Sequence, residues 1–445
     1  MKRCIALVAL TMVLSATHAQ NDTNQNVRTG WTFGALPSVS YDTDLGFQYG
    51  ALTNIYYFGD GTTYPEYLHS FYVEAAYTTK QYGVFRMSYD SKYLIPDYRI
   101  SLDLAYLPDA MSDFYGFNGY QSRIHSEYVD TESLEYLSRT YYKMKRNLLK
   151  LNASIDHNFT DNLSWCAGFG LYNYEIDRVN VEMLNRGRDN EEMLPDVTTL
   201  YDKYVSLGLI STKEKNGGFH PYIQGGISFD TRDREQNPRT GIYADAFVTA
   251  TGAFGEMSEF NNVKFNAAWR QYIPLIRNRL TVAYRIGTQL LVAGKSTFYQ
   301  NTYMNQLYYH RVLYEGLGGA NSLRGILRNR ILANGFAYGN VELRIQLFNF
   351  KIGKELFYIG LNPLMDVGMV VQPYESVEEV IAMANEPLDD FNTEYNTYAP
   401  HISGGCGLKA TMNDNFVLSV DWATPLNEQD NYNTSNIYIK IGYMF

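Results

Sequence analysis

Beyond residue 20, no stretch of this chain is apolar for long enough to cross a bilayer as a helix, yet segment after segment alternates apolar and polar residues with period two. At the C-terminus Ile437, Ile439, Ile441, Tyr443 and Phe445 alternate with positions that include Lys440 and Gly442. Val341, Leu343, Ile345 and Leu347 oppose Asn340, Glu342, Arg344 and Gln346. The pattern recurs where Leu280, Val282, Ile286 and Leu290 oppose Arg285 and Gln289, and where Val263, Phe265, Ala267 and Trp269 oppose Lys264, Asn266 and Arg270. Leu149, Leu151, Ala153 and Ile155 likewise oppose Lys150, Asn152, Ser154 and Asp156. Charges interleaved this way with branched apolar side chains suit a strand with lipid on one face and a wet interior on the other. A soluble β-sandwich also alternates, but it explains neither the chain's two ends nor its 40 tyrosines, a residue favoured where a ring sits between lipid and water.

The pattern predicts an all-β chain, a transmembrane antiparallel β-barrel. Its strands fall near 31–39, 43–57, 69–80, 82–92, 97–107, 141–158, 162–178, 219–231, 240–252, 258–273, 278–295, 334–349, 354–371, 398–411, 415–425 and 434–445. That is sixteen, and single-chain bacterial barrels have even counts. Residues 200–213 could add a strand, but a seventeenth would put the two termini on opposite sides, so 179–218 reads as a loop. The long loops 108–140, 179–218, 296–333 and 372–397 then lie outside, and short turns such as 93–96 and 350–353 face the periplasm. The acidic stretch from Glu375 to Asp390 reads as a solvated external face.

Residues 1–19 read as a signal peptide: Lys2 and Arg3, an apolar run from Ile5 to Ala16, then the small-residue site Thr17-His18-Ala19. Residues 20–30 form a short periplasmic segment, and 31–445 the barrel, which places the protein in the outer membrane of a Gram-negative cell, against its lipid. A net charge of −10 argues against nucleic acid. No C-x-x-C, H-E-x-x-H or G-x-S-x-G occurs, so no metal, cofactor or catalytic residue is expected. Cys166 falls on a lumen face and Cys406 on a lipid face of non-adjacent strands, which predicts no disulfide.

Two stretches are more specific. In the 296–333 loop, Gly318-Gly319-Ala320-Asn321-Ser322 leads into Leu323-Arg324-Gly325-Ile326. Earlier, Asp230-Thr231-Arg232-Asp233 precedes Pro238, Gly241 and an alternating strand. An arginine in a glycine-rich loop is by default a solvated charge. By alternation, however, Glu342 and Asp366 point into the lumen, and both follow the loop closely. A planar guanidinium entering that lumen would find carboxylates for bidentate hydrogen bonds. Asp230, Arg232 and Asp233 with Pro238 and Gly241 read as a periplasmic turn held by aspartate side chains.

With these motifs, and with Leu364-Met365-Asp366-Val367-Gly368 resembling an aromatic-x-D-x-G strand, the sequence resembles the BamA/TamA family of outer-membrane assembly barrels, the surface-antigen or D15 type. The resemblance covers residues 219–445 well and the N-terminal half loosely. It implies a sixteen-stranded barrel whose long loop folds back inside, with Arg324 meeting Glu342 and Asp366. Ile326 stands where the family's motif usually has Phe. The family's barrels usually follow periplasmic POTRA domains, for which this sequence has no room, so separate periplasmic partners would take that role. The implied function is insertion or translocation of client outer-membrane proteins or envelope components. The alternative is a passive channel. Gly34 and Pro37 in the first strand, beside a last strand running cleanly through Ile439 to Phe445, predict a weakly closed seam, because proline donates no ladder hydrogen bond. The rival reading has Pro37 merely start a bend at the rim.

Overall fold

The computed structural model describes residues 27–64, 66–235, 237–305, 315–353, 355–383, 389–392, 395–412, 416–432 and 436–445. The expected signal peptide and most of the 20–30 segment lie outside these residues. Alternation makes the chain a closed antiparallel barrel of sixteen strands. The first barrel strand is in two pieces, β1 (Trp31–Pro37) and β2 (Ser40–Asp42). Next come β3 (Gly46–Tyr57), β4 (His69–Thr78), β5 (Gly83–Ile95), β6 (Tyr98–Asp113), β7 (Lys143–Asn158) and β8 (Leu163–Asp177). They are followed by β9 (Gly217–Asp230), β10 (Gly241–Thr251), β11 (Asn262–Ile276), β12 (Leu280–Gly294), β13 (Gly335–Ile352) and β14 (Glu355–Gln372). The chain closes with β15 (His401–Met412), β16 (Phe416–Pro425) and β17 (Asn436–Ile441).

Each strand pairs with its sequence neighbours, and β17 returns to β2. Lipid-side side chains such as Phe169, Ile223, Ile286 and Met365 are exposed, while their lumen-side neighbours are buried. The wall thus turns polar and charged side chains such as Arg285, Glu342 and Asp366 inward, beside buried tyrosines such as Tyr172 and Tyr222.

Among the boundaries that differ from the sequence reading, three bear on the seam and the loops. The first strand does not end at 39: Ser40–Asp42 continue it after a break at Ser38-Val39, directly behind Pro37, and the turn is residues 43–45. The fifth, β6, runs on to Asp113, into what reads as loop. The last strand stops at Ile441, because Gly442 takes φ 94°, a left-handed conformation, and turns the chain out of register.

The external loops carry their own packing. They hold α1 (Val181–Asn185), α2 (Leu200–Ser206) and α3 (Ser376–Met383). Thr199 caps α2 through a reciprocal box with Asp202. Phe114, Phe117, Tyr141, Tyr204, Phe298, Tyr299 and Phe391 form an aromatic cluster beneath these loops. Asp390 belongs to this cluster rather than to a solvated face: it is buried, accepts from Tyr141 Oη at 2.8 Å and pairs with Lys203 at 2.5 Å.

Candidate functional site

The loop between β12 and β13 turns inward and carries Leu323, Arg324, Gly325 and Ile326 into the lumen, where all four are buried. Glycine is required at two points of contact. Gly325 has φ 87°, and a Cβ there would lie 3.0–3.1 Å from Thr424, Ala423 and Ser403. Gly368 on β14 lies under Leu323, whose Cδ1 would be 2.4 Å from an added Cβ.

Arg324 is then placed among acids. Its Nε and Nη2 donate to Asp366 at 3.0 and 3.1 Å, and its backbone N–H donates to Asp366 at 2.9 Å. Its Nη1 donates to Glu342 at 2.7 Å and lies 3.6 Å from Asp421. Lys409 pairs with Asp421 at 2.6 Å, and Arg344 with Glu342 at 3.0 Å. Burial disfavours the Arg324 cation, but Asp366 and Glu342 outweigh it and hold the guanidinium well above its usual value. The cluster is a charge-assisted network out of water, which fixes a loop without offering a nucleophile or proton carrier.

The same loop is held at two higher points. Arg328 donates to Asp109 and Asp113, each at 2.8 Å, and Arg330 donates to the carbonyls of Gly119 and Ser122 at 2.8 and 3.0 Å. Sequence reasoning passed over Asp421, Lys409, Arg328 and Arg330. For Asp421 and Lys409 the signal was present, since each sits on the lumen parity of an alternating strand.

The loop also grips the last strand. Tyr438 Oη accepts from the Gly325 N–H at 3.0 Å, and Lys440 Nζ donates to the Ala320 carbonyl at 3.1 Å. Here the barrel is thinly closed. Among the described residues, β17 pairs with β2 only at Tyr438↔Asp42 and Ile439↔Tyr41. Pro37 ends β1 opposite Ala51, and among the described residues β1 ladders with β3 alone. Leu36 faces Leu52, so the residue across from Ile439 is Tyr41. Phe445 does not end a spanning strand at the seam. The tail after Gly442 folds inward, the Phe445 carbonyl accepts from Arg344 at 2.7 Å, and the Tyr443 ring lies 4.0 Å from the Arg344 guanidinium.

At the end of the barrel that holds this tail, Arg232 forks onto Asp230 at 2.9 and 2.7 Å, and Asp233 accepts the Arg239 N–H at 2.9 Å. Gly241 has φ 103°, with Thr231 O only 2.3 Å from where a Cβ would be. The turn tucks under the barrel. Asn237 donates to Tyr358 at 2.8 Å, and the Pro238 carbonyl accepts from Arg344 at 3.4 Å. Among the described residues, Cys166 and Cys406 are free thiols.

A family model described as the Omp85 superfamily domain matches residues 69–445. Among solved structures, BamA from Haemophilus ducreyi lacking POTRA domains 1–3 is similar, with 15% identity and a TM-score of 0.58 over 93% of this chain and 70% of that one. CdiB from Escherichia coli is also similar, with 11% identity and a TM-score of 0.55 over 92% of this chain and 62% of that one. At these identities the likeness is one of fold. A search of curated proteins finds no match.

Proposed function

This chain belongs to the Omp85 superfamily of outer-membrane β-barrels, and on that premise we propose that it assists the insertion or translocation of client proteins at the outer membrane through its seam. The observation that carries the reading is the two-residue closure between β17 and β2. Backbone groups left unpaired in hydrocarbon cost several kcal/mol each by general estimate, roughly the value of a lost hydrogen bond without water. Among the described residues the outer edge of β1 is such a row, and the inward turn at Gly442 removes the strand that would cover it. A client strand gains by pairing there, as an added strand does on any exposed sheet edge. The chemistry is binding, not bond-making. The Arg324 cluster serves it by holding β13, β14 and β16 to the loop that grips Tyr438 and Lys440, so the wall beside the seam stays rigid.

Cysteines at Tyr41 and Ile439 test this, since these residues face each other across the seam. In proteoliposomes, the oxidised Tyr41→Cys/Ile439→Cys protein should insert a client β-barrel poorly and recover on reduction. Equal insertion by the oxidised and reduced forms would end the seam reading. A passive channel predicts instead a steady conductance indifferent to the crosslink. The loop and aromatic cluster that occupy the lumen favour low conductance.

A further inference from the structure

The periplasmic mouth holds a hollow that the seam does not use. It has a volume of about 660 Å³ and lies among the periplasmic ends of β5 to β10, on the side of the mouth away from the seam. Arg99, Asp156, Ser164, Asp230 and Arg232 line it, with tyrosines at its rim. What matters is which charges are already satisfied. Arg99 is occupied by Asp90, with contacts of 2.6 and 3.2 Å. Arg232 is occupied by Asp230 and stacked over Tyr243 at 4.5 Å. Lys92 pairs with Glu66 at 3.7 Å, and His157 bonds the Asp97 carbonyl at 2.8 Å.

Asp156 is different. It is 8% exposed, is attracted electrostatically by Arg99, receives a long 3.4 Å bond from Ser154 on Oδ2, and its Oδ1 has no hydrogen-bond partner among the described residues. Buried carboxylate oxygens are ordinarily bonded, because desolvation without a partner is costly. The hollow thus has a spare acceptor, while its cations are engaged. A ligand suited to it brings a donor, and preferably a positive charge.

We propose that this hollow binds a basic segment of polypeptide from the periplasm, with a lysine or arginine side chain donating to Asp156 Oδ1. Two features favour polypeptide. The hollow opens where an outer-membrane barrel meets periplasmic proteins, and its tyrosine rim suits the aliphatic stem of a lysine or arginine as well as its charge. The site is independent of seam opening, so it can be measured with the seam shut.

The test uses the oxidised Tyr41→Cys/Ile439→Cys barrel in phosphatidylcholine nanodiscs, titrated by fluorescence anisotropy with a labelled peptide of alternating lysine and valine. Binding is expected, with the glutamate–valine counterpart at least tenfold weaker. Asp156→Asn should weaken the lysine peptide at least tenfold. Asp189→Asn, which removes an exposed charge in an external loop, should leave it unchanged. If Asp156→Asn fails to fold by heat-modifiability, Ser164→Trp fills the hollow without removing a charge and should abolish binding. Equal affinity in parent, Asp156→Asn and Ser164→Trp overturns the site. Equal affinity for the glutamate peptide overturns the requirement for a cation. Spermidine binding as tightly as the lysine peptide overturns polypeptide as the occupant.

Discussion

The β13–β14 pair and the β17–β2 pair are both antiparallel contacts in one barrel, yet the first has fifteen paired positions and the second two. Their sequences do not differ in kind. β13 and β14 have eighteen residues each, and a buried cation crosses between them because Arg324 bonds Glu342 on one and Asp366 on the other. At the seam, Pro37 stops one strand and Gly442 diverts the other. A barrel can thus be stiff and openable at once: the charge network holds the wall, and two backbone-special residues thin the closure.

The comparison breaks most completely if the wall's cation is removed. Arg324→Ala leaves Asp366 buried without its cation and Glu342 with Arg344 alone, and breaking a buried pair costs about 3–5 kcal/mol. The temperature at which the barrel loses its fast-migrating folded form should fall steeply. Arg324→Lys should fall less, since an ammonium keeps the charge but not the fork. An unchanged melting temperature in both variants would show that the network does not hold the wall.

Arg328→Ala should cost less, about 1.5–3 kcal/mol for charge-assisted bonds. Asp113 keeps Lys143 beside it, and Arg146 stays 3.9 Å from Asp109. The effect should also fall in a different place. Protease cleavage in the external loops, where Leu134 is fully exposed, should accelerate, while β13–β14 amides remain protected from exchange. Loss of protection in β13–β14 would mean that the two arginines act as one unit.

Strand parity made much of this legible. Alternation locates the walls, and it turns Glu342 and Asp366 toward the lumen, where Arg324 lies between them. The same rule applied to Lys409, flanked by Leu408 and Ala410, and to Asp421, flanked by Val420 and Trp422, would have brought both into the network. What parity lacks is depth: nothing in the spacing of Arg324, Arg328 and Arg330 says that one reaches the middle of the lumen and the others stay high. Nor can alternation see a dihedral. Tyr443 and Phe445 continue the pattern in sequence, but Gly442 has already turned the backbone inward. Asp390 was lost in the same way, since an acidic run looks solvated until Tyr141 and Lys203 come to it from distant loops.

The seam side of the comparison is sharpened by Trp31. Its ring packs 4.8 Å from Tyr57 and 6.1 Å from Phe71, tying the start of β1 to the lipid face while the strand's outer edge stays free. Trp31→Ala should cost about 1 kcal/mol, the scale of an aromatic pair beyond its area. Exchange of β1 amides should quicken while those of β13 stay unchanged. If client insertion rises at the same time, the ring is a restraint on the edge. If it falls, the ring holds the edge in place for pairing.

The smallest effect sits at the seam's one point of closure. Asp44 lies in the turn between β2 and β3, and its burial, with Asp42 and Asp113 near, pushes its carboxyl up to about 7 against the pull of Arg328 and Lys80. Among the described residues its Oδ2 has no hydrogen-bond partner. A carboxyl raised in the folded state adds stability when protonated. That contribution is full below the ordinary carboxylate range and drains away as pH rises toward and through 7. The closure should therefore be tightest in mild acid and weaken toward neutrality. One pKa unit corresponds to about 1.36 kcal/mol, and the turn's partial exposure and neighbouring cations reduce the net effect to about that size or less. Asp44→Asn should weaken this dependence, bringing oxidation of the Tyr41→Cys/Ile439→Cys pair or exchange of the Ile439 amide at pH 8 closer to its low-pH behaviour. Should the parent's Ile439 exchange, corrected for intrinsic pH effects, stay flat from pH 4 to 8, Asp44 does not govern the closure, and the two ladder pairs alone set how readily it opens.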